Sequence, residues 1–273
     1  MAGLNKTLWI NWFQGWDNAP EIAHHCVESW RHYNPDWKIV QMDAETCHEY
    51  SDFRELLPGL DTNNISKSDI LRLSILKNHG GVWVDSTLWC NKPLDSWLLD
   101  IKDSFIFTRA DRLMDNWFMA AENDSYLISA LYDITIKWWT WRIAETDQYE
   151  QRYAWMHGLL SQLISNDRKA RNVFAQWDHI DVLHDTYNQK NGKGKRGRSA
   201  HLFTPYMKYF YEPISEEIKN RIDSKIDPVY KLTYKTNTEW QNPDKRGIHP
   251  GDEKILFNYP ENSEVNYLLS TIK

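Results

Sequence analysis

Apolar residues recur along the chain with two periods. Between Asn64 and Asn78, Ile70, Leu71, Leu73, Ile75 and Leu76 give a wide apolar face at helical spacing. Gly80-Gly81 then ends the helix, since glycine takes the left-handed conformation at little cost. Val82-Trp83-Val84 has the composition of a buried strand, and Asp85-Ser86-Thr87 follows it. The same reading upstream predicts a strand over Leu4–Ile10 and a helix over Pro20–Tyr33, with Ile22, Ala23, Cys26, Val27 and Trp30 on one side. A short strand over Trp37–Met42 and a short helix over Ala44–Tyr50 come next. Downstream, strands are predicted over Gly81–Val84, Thr87–Cys90, Ser104–Thr108 and Trp117–Ala121. Helices follow over Asp124–Ile143, with Trp138, Trp139 and Trp141 as packing residues, and over Gln151–Ser165. Strands alternating with helices imply an α/β fold around a mostly parallel sheet. The last third is rich in loops.

Composition narrows the function classes. The chain has 273 residues, so it can bury a substantial core without a covalent staple. Its 15 Trp and 14 Tyr are many; they serve either as core or as flat surfaces for sugars and bases. A net charge of −6 argues against nucleic acid as a partner. Cys26, Cys47 and Cys90 are widely spaced, with no metal-binding pair, and fit free buried thiols in a reducing compartment. No stretch reaches the roughly 20 apolar residues that span a bilayer, and the first residues lack a signal-peptide run. The expectation is a soluble, cytoplasmic protein. One segment stands apart: Gln189–Arg198 interleaves Lys and Gly without an apolar anchor. It reads as a solvated loop or as an electrostatic clamp for a phosphate-bearing acceptor or a membrane surface.

Candidate chemistry gathers around the double glycine. A carboxylate after an apolar strand lies where open α/β sheets bind ligands, which singles out Asp85. Asp69 and Arg72 are three apart and share a helix face, as a sugar-binding pair or a structural ion pair. Ser66 and Asp69 are candidate helix caps. There is no P-loop, no dinucleotide fingerprint and no Ser-His-Asp set.

The run Ser68-Asp69-Ile70-Leu71-Arg72, Gly80-Gly81, apolar strand and Asp85-Ser86-Thr87 resembles the donor site of glycosyltransferase family 32 and its capsular-polysaccharide-synthesis branch. Thr7–Trp12, Ala19-Pro20, Ser29–Pro35, Asn116–Ala121 and Tyr230–Lys235 resemble further blocks, so residues 4–235 can be placed. The resemblance implies one GT-A-like domain over 1–273, with a nucleotide-sugar part at 1–123 and a helical acceptor-side part at 124–273. It implies a retaining hexosyltransferase for surface polysaccharide, UDP-sugars being favoured as donors. The acceptor would be a glycan or a lipid-linked oligosaccharide.

The same resemblance assigns residues. Asp85, Asp69 and Arg72 would be catalytic. Trp9, Asn11, Ser68, Gly81, Ser86, Thr87, Asn116 and Lys231 would join them around the donor, with one of Trp9 and Trp12 left to the core. Lys231 would meet the diphosphate. Asp85 would hold Mn²⁺ or Mg²⁺, although Thr87 stands where an acid is usual, and a neutral hydroxyl adds no charge toward a hard cation. His157 and His249 are possible acceptor-side or metal residues. The Lys193–Arg198 stretch would bring peripheral membrane contact. The alternative is a catalytically weak protein of the same fold that binds sugar nucleotides or glycans.

Overall fold

The computed structural model describes residues 4–98, 101–108, 114–144, 155–176, 183–184, 201–202, 213–232 and 261–272. The chain divides into two compact units. The first comprises Met1–Phe13, Lys38–Val84 and Leu99–Asp178; the second comprises Gln14–Trp37, Asp85–Leu98 and His179–Lys273.

The first unit is built on a sheet of β1 (Thr7–Asn11), β2 (Lys38–Met42), β3 (Gly81–Val84), β5 (Ser104–Thr108) and β6 (Met114–Ala121), in the order β2-β1-β3-β6-β5. β1 pairs in parallel with both β2 and β3, while β6 runs antiparallel to its two neighbours. So β6 alone is reversed and the other strands share one direction, as the mostly parallel expectation requires. Both faces are apolar: Leu8, Ile10, Val82 and Val84 are buried on one side, Trp9, Val40, Met42 and Trp83 on the other.

The second face packs the short α2 (Phe53–Leu56) and α3 (Asn64–His79), the latter placed within a residue by the sequence pattern. Beyond it lie α4 (Tyr126–Ala144), α5 (Trp155–Asn166) and α6 (Arg168–Ala175), all sharing one apolar cluster with the sheet. Much of the tryptophan goes here. Trp138 stacks on Trp155 with ring centroids 5.5 Å apart, and Trp139 meets Trp155 edge-on. Trp141 is different: it is half exposed, on the solvent side of α4, and is not the packing residue the pattern suggested. Positions 138 and 141 are a helical turn apart only approximately, and the narrow buried stripe of α4 runs through Leu131, Tyr132, Thr135 and Trp139.

The second unit packs α1 (Glu21–Tyr33), α7 (Glu216–Asp223) and α8 (Glu264–Ser270) with a second sheet. That sheet is β4 (Leu88–Cys90), β9 (Val229–Lys231), β8 (His201–Leu202) and β7 (Leu183–His184), in this order. The Leu88–Cys90 strand thus leaves the central sheet and pairs antiparallel with β9. Trp30 donates its indole N–H to the Leu88 carbonyl at 2.7 Å, which ties α1 to β4. A bidentate Arg221–Asp227 pair underlies the β9 entrance, with Asp227 fully buried.

The predicted helix over Ala44–Tyr50 is a single 3-10 turn, Cys47–Glu49. The reason is local: the Asp43 carboxylate accepts hydrogen bonds from the Glu45 and Thr46 N–H groups and the Thr46 hydroxyl, closing a turn that competes with a helix. The three cysteines are free and buried, and burial pushes the Cys90 thiol up to about 12.

The double glycine is required by geometry. Gly80 and Gly81 have φ of 64° and 89°. A side chain on Gly81 would drive into the Thr7 carbonyl, and one on Gly80 into Asn123. Gly59, at φ 81°, faces open space. Gly81→Ala is therefore expected to destabilise by more than the strain of a left-handed alanine, about 1–2 kcal/mol, whereas Gly59→Ala should cost only that strain. Urea denaturation of the two variants checks the difference, and equal losses would refute the steric account.

Candidate functional site

In the first unit, α3 and β6 bring together residues that lie far apart in sequence. The first turn of α3 is capped by Asn63, whose side chain accepts from the Ser66 N–H at 2.8 Å. The cap is thus Asn63, and not Ser66 or Asp69. This leaves Asp69, one turn in, for another task. Its carboxylate lies 3.1 Å from the Arg72 guanidinium, and both side chains are buried. Asn116 on β6 donates its amide N–H to Asp69 at 2.9 Å, and its backbone carbonyl accepts from Arg72 Nη1 at 2.7 Å. Arg72 Nη2 donates to the Ser68 hydroxyl at 3.3 Å, and the guanidinium sits over the Trp83 ring, 5.4 Å from its centre.

So Ser68, Asp69, Arg72 and Asn116, all predicted from sequence, form one connected group. Two neighbours were missed. Trp83 faces this group because strand alternation turns it away from Val82 and Val84, a signal the sequence does contain. Met156 on α5 brings its sulfur 3.9 Å from the Asn116 amide, a contact between distant segments that no local pattern announces. A charge pair at this depth contributes little net stability, but removing one partner strands the other. Its chemical use is a held carboxylate and a planar fork of donors, which suits the hydroxyls of a hexose.

The carboxyl ends of β1 and β2 lie side by side, with Asn11 paired to Met42 in register. Trp9 is a core residue. Its indole N–H donates to the Gly80 carbonyl at 2.9 Å, and its ring rests against Tyr50 and His79. Asn11 differs: it is nine-tenths buried and its side-chain oxygen has no hydrogen-bond partner among the described residues. An acceptor of this kind needs a donor, from a ligand or from water. Trp12 continues the edge, its backbone N–H donating to the Met42 carbonyl. A cavity of about 360 Å³ in the same unit is lined by Phe13, Phe53, Arg54, Leu60, Asn64 and Lys67; none of the predicted donor residues lines it.

In the second unit, Asp85 opens a turn whose carbonyl accepts from the Leu88 N–H at 2.9 Å. Ser86 and Thr87 in this turn are buried. Register pairing sets Leu88 opposite Lys231, and the Leu232 N–H donates to the Thr87 carbonyl at 2.9 Å. Lys231 therefore reaches the turn with its ammonium 3.3 Å from the Asp85 carboxylate and 2.5 Å from the Thr87 hydroxyl. Both members of the Asp85–Lys231 pair are partly exposed, at 28% and 20%.

This corner suits a divalent cation poorly. Mg²⁺ needs oxygens at about 2.0–2.1 Å, mostly charged, in near-octahedral array. Here the Asp85 carboxylate is engaged by the Lys231 ammonium, and the Thr87 hydroxyl is held by the same ammonium. Among the described residues no three His, Cys, Asp or Glu side chains gather as a ligand set. His157 is half-buried on α5. His249 and the Lys193–Arg198 stretch lie outside the described residues.

These features can be set beside known proteins. Residues 2–246 match the family described as capsular polysaccharide synthesis protein. The chain belongs to this family. The family resemblance carried by the Ser68–Thr87 run is thereby borne out. The chain is also similar to inositol phosphoceramide mannosyltransferase 1 of Schizosaccharomyces pombe, 27% identical over 128 residues, or 44% of this chain and 40% of that protein. It is similar to O-glycosyltransferase braB of Annulohypoxylon truncatum, 27% identical over 96 residues, 30% of this chain and 23% of that protein. The chain thus matches less than half the length of either relative. Among solved structures it is similar to the PaToxG glycosyltransferase, at 15% identity and a TM-score of 0.44, covering 63% of this chain and 74% of that one. Among the described residues, no helix of this family member is long and apolar enough to cross a membrane.

Proposed function

We propose that this member of the capsular polysaccharide synthesis family is a GT-A-like, retaining glycosyltransferase. It would move a hexose from a nucleotide sugar, a UDP-sugar by preference, to a glycan or lipid-linked oligosaccharide. The observation that supports the reading is the buried Asp69–Arg72–Asn116 group, a held carboxylate beside a planar fork of donors, whose chemistry matches that of sugar hydroxyls. The names of its relatives, a mannosyltransferase and an O-glycosyltransferase, support the reaction class.

In this reading each group has one task. Asp69 and Arg72 orient the hexose; Asn116 holds both of them in place. Asn11 meets the nucleotide part of the donor with its side-chain oxygen, which has no hydrogen-bond partner among the described residues. Lys231 faces the diphosphate, whose charge grows as the sugar leaves. Acceptor engagement falls to the later part of the chain, with Lys193, Lys195, Arg196 and Arg198 drawing in a phosphate-bearing acceptor or the membrane that holds it.

Incubating the protein with a panel of UDP- and GDP-hexoses, in EDTA and in Mn²⁺, tests the reading. Release of the nucleoside diphosphate, with sugar appearing on water or on a glycan acceptor, is the expected result. Tight binding of these donors with no turnover under either condition would instead identify a binding protein of the same fold.

A further inference from the structure

Lys231 meets the Asp85-Ser86-Thr87 turn, where the family resemblance would place a metal ion. We infer that the Lys231 ammonium, held between Asp85 and Thr87, is the resident cation for the donor's diphosphate, so that this protein binds and turns over its donor without a divalent metal. The inference rests on the glycosyltransferase reading and sharpens it.

Three observations combine. First, the triplet Asp85-Ser86-Thr87 carries one carboxylate, because Thr87 is neutral. Second, the ammonium is set by backbone pairing. β4 and β9 are hydrogen-bonded with Leu88 opposite Lys231, and Leu232 continues the contact to the Thr87 carbonyl. A lysine on a paired strand loses less freedom on binding than one on a free loop. Third, the charge is oriented and still accessible. Nζ lies 3.3 Å from Asp85 and 2.5 Å from Thr87, and a fifth of the lysine side chain remains open. An ammonium has three donors, so one remains for a phosphate oxygen after Asp85 and Thr87 are met.

The chemistry balances without a metal. As transfer proceeds, the bond between the anomeric carbon and the β-phosphate oxygen breaks, and its electron pair stays on that oxygen. The acceptor hydroxyl oxygen bonds to the anomeric carbon and its proton passes to the departing diphosphate. Lys231 contributes a fixed positive charge beside that diphosphate and is itself unchanged. Asp85 then acts as a positioning residue for the ammonium, and Thr87 is the neutral partner that lets Lys231 stay. A second acid at position 87 would instead build a site competing for Mg²⁺ or Mn²⁺.

Calorimetric titration of the full chain with UDP and with GDP decides it, each in EDTA and in millimolar Mn²⁺. The wild type is expected to bind one of the two equally well, within about twofold, in both buffers. Lys231→Ala should bind about tenfold to a hundredfold more weakly in EDTA, the range for a lost charged hydrogen bond, and Lys231→Arg should recover most of it. The wild-type comparison stands even where Lys231→Ala does not fold. Binding that appears only with Mn²⁺, or nucleotide-dependent capture of Mn²⁺ seen by its paramagnetic resonance signal, overturns the inference and leaves the transferase reading standing. If neither diphosphate binds in either buffer, the donor reading itself falls, and this inference with it.

Discussion

Asp85→Asn is expected to lower sugar transfer by a factor of about 10²–10³, the loss seen when one preorganised electrostatic group is removed from an active site. The fold should survive. The Asp85 side chain is partly exposed, and the β4–β9 pairing that supports its turn is made by backbone groups. Asparagine keeps the shape and removes the charge that aims the Lys231 ammonium. Affinity for the free nucleoside diphosphate should then hold or rise, because the ammonium loses its competing carboxylate. Turnover and affinity are thus expected to move apart. Near-normal turnover in a folded Asp85→Asn protein would remove Asp85 from the mechanism. A parallel collapse of diphosphate affinity would mean instead that Asp85 holds the ligand directly or through a metal.

Arg72→Ala is expected to have the largest effect on stability. Both Arg72 and Asp69 are about 95% buried, and the guanidinium bridges Asp69, Ser68 and the Asn116 carbonyl. Removing it takes the guanidinium away from a buried carboxylate and a buried carbonyl, at a cost of about 3–5 kcal/mol. Urea unfolding measures this directly. Arg72→Lys separates stability from recognition: it keeps the charge but not the planar fork that reaches Asn116 and Ser68 together. The lysine variant should be milder in stability but still poor in transfer, with weakened discrimination among hexoses and nearly unchanged binding of the nucleoside diphosphate. Intact hexose selectivity in Arg72→Lys, with diphosphate binding lost, would assign Arg72 to the phosphates.

The contrast between these two sites shows what a single sequence reveals. The Asp69–Arg72 spacing put both residues on one face of α3, and the apolar pattern around them located that helix within a residue, because helical periodicity is a local property. The glycine pair was equally legible, since only glycine sits easily at positive φ against the Thr7 carbonyl. Tryptophan was not. Trp9, Trp30 and Trp83 look alike in the sequence, yet Trp9 is bonded to the Gly80 carbonyl, Trp30 to the Leu88 carbonyl, and Trp83 lies under Arg72. Trp141, in a run of three tryptophans on α4, faces solvent. What separates them is the partner opposite, which composition does not encode.

The order of elements in the first half, the turn at Gly80-Gly81 and the family were all legible in the chain alone. Each is written in short-range spacing, which sterics and backbone hydrogen bonding convert directly into local structure. The pairing of Leu88–Cys90 with Val229–Lys231 was visible only in the folded chain. The tertiary structure alone set Lys231 against Asp85 and Thr87, across more than a hundred residues of chain, and Asn116 against Asp69. Such contacts depend on strand register between distant segments. A shift of one residue would turn Lys231 to the opposite face of its strand, and nothing in the local pattern of either segment records that choice.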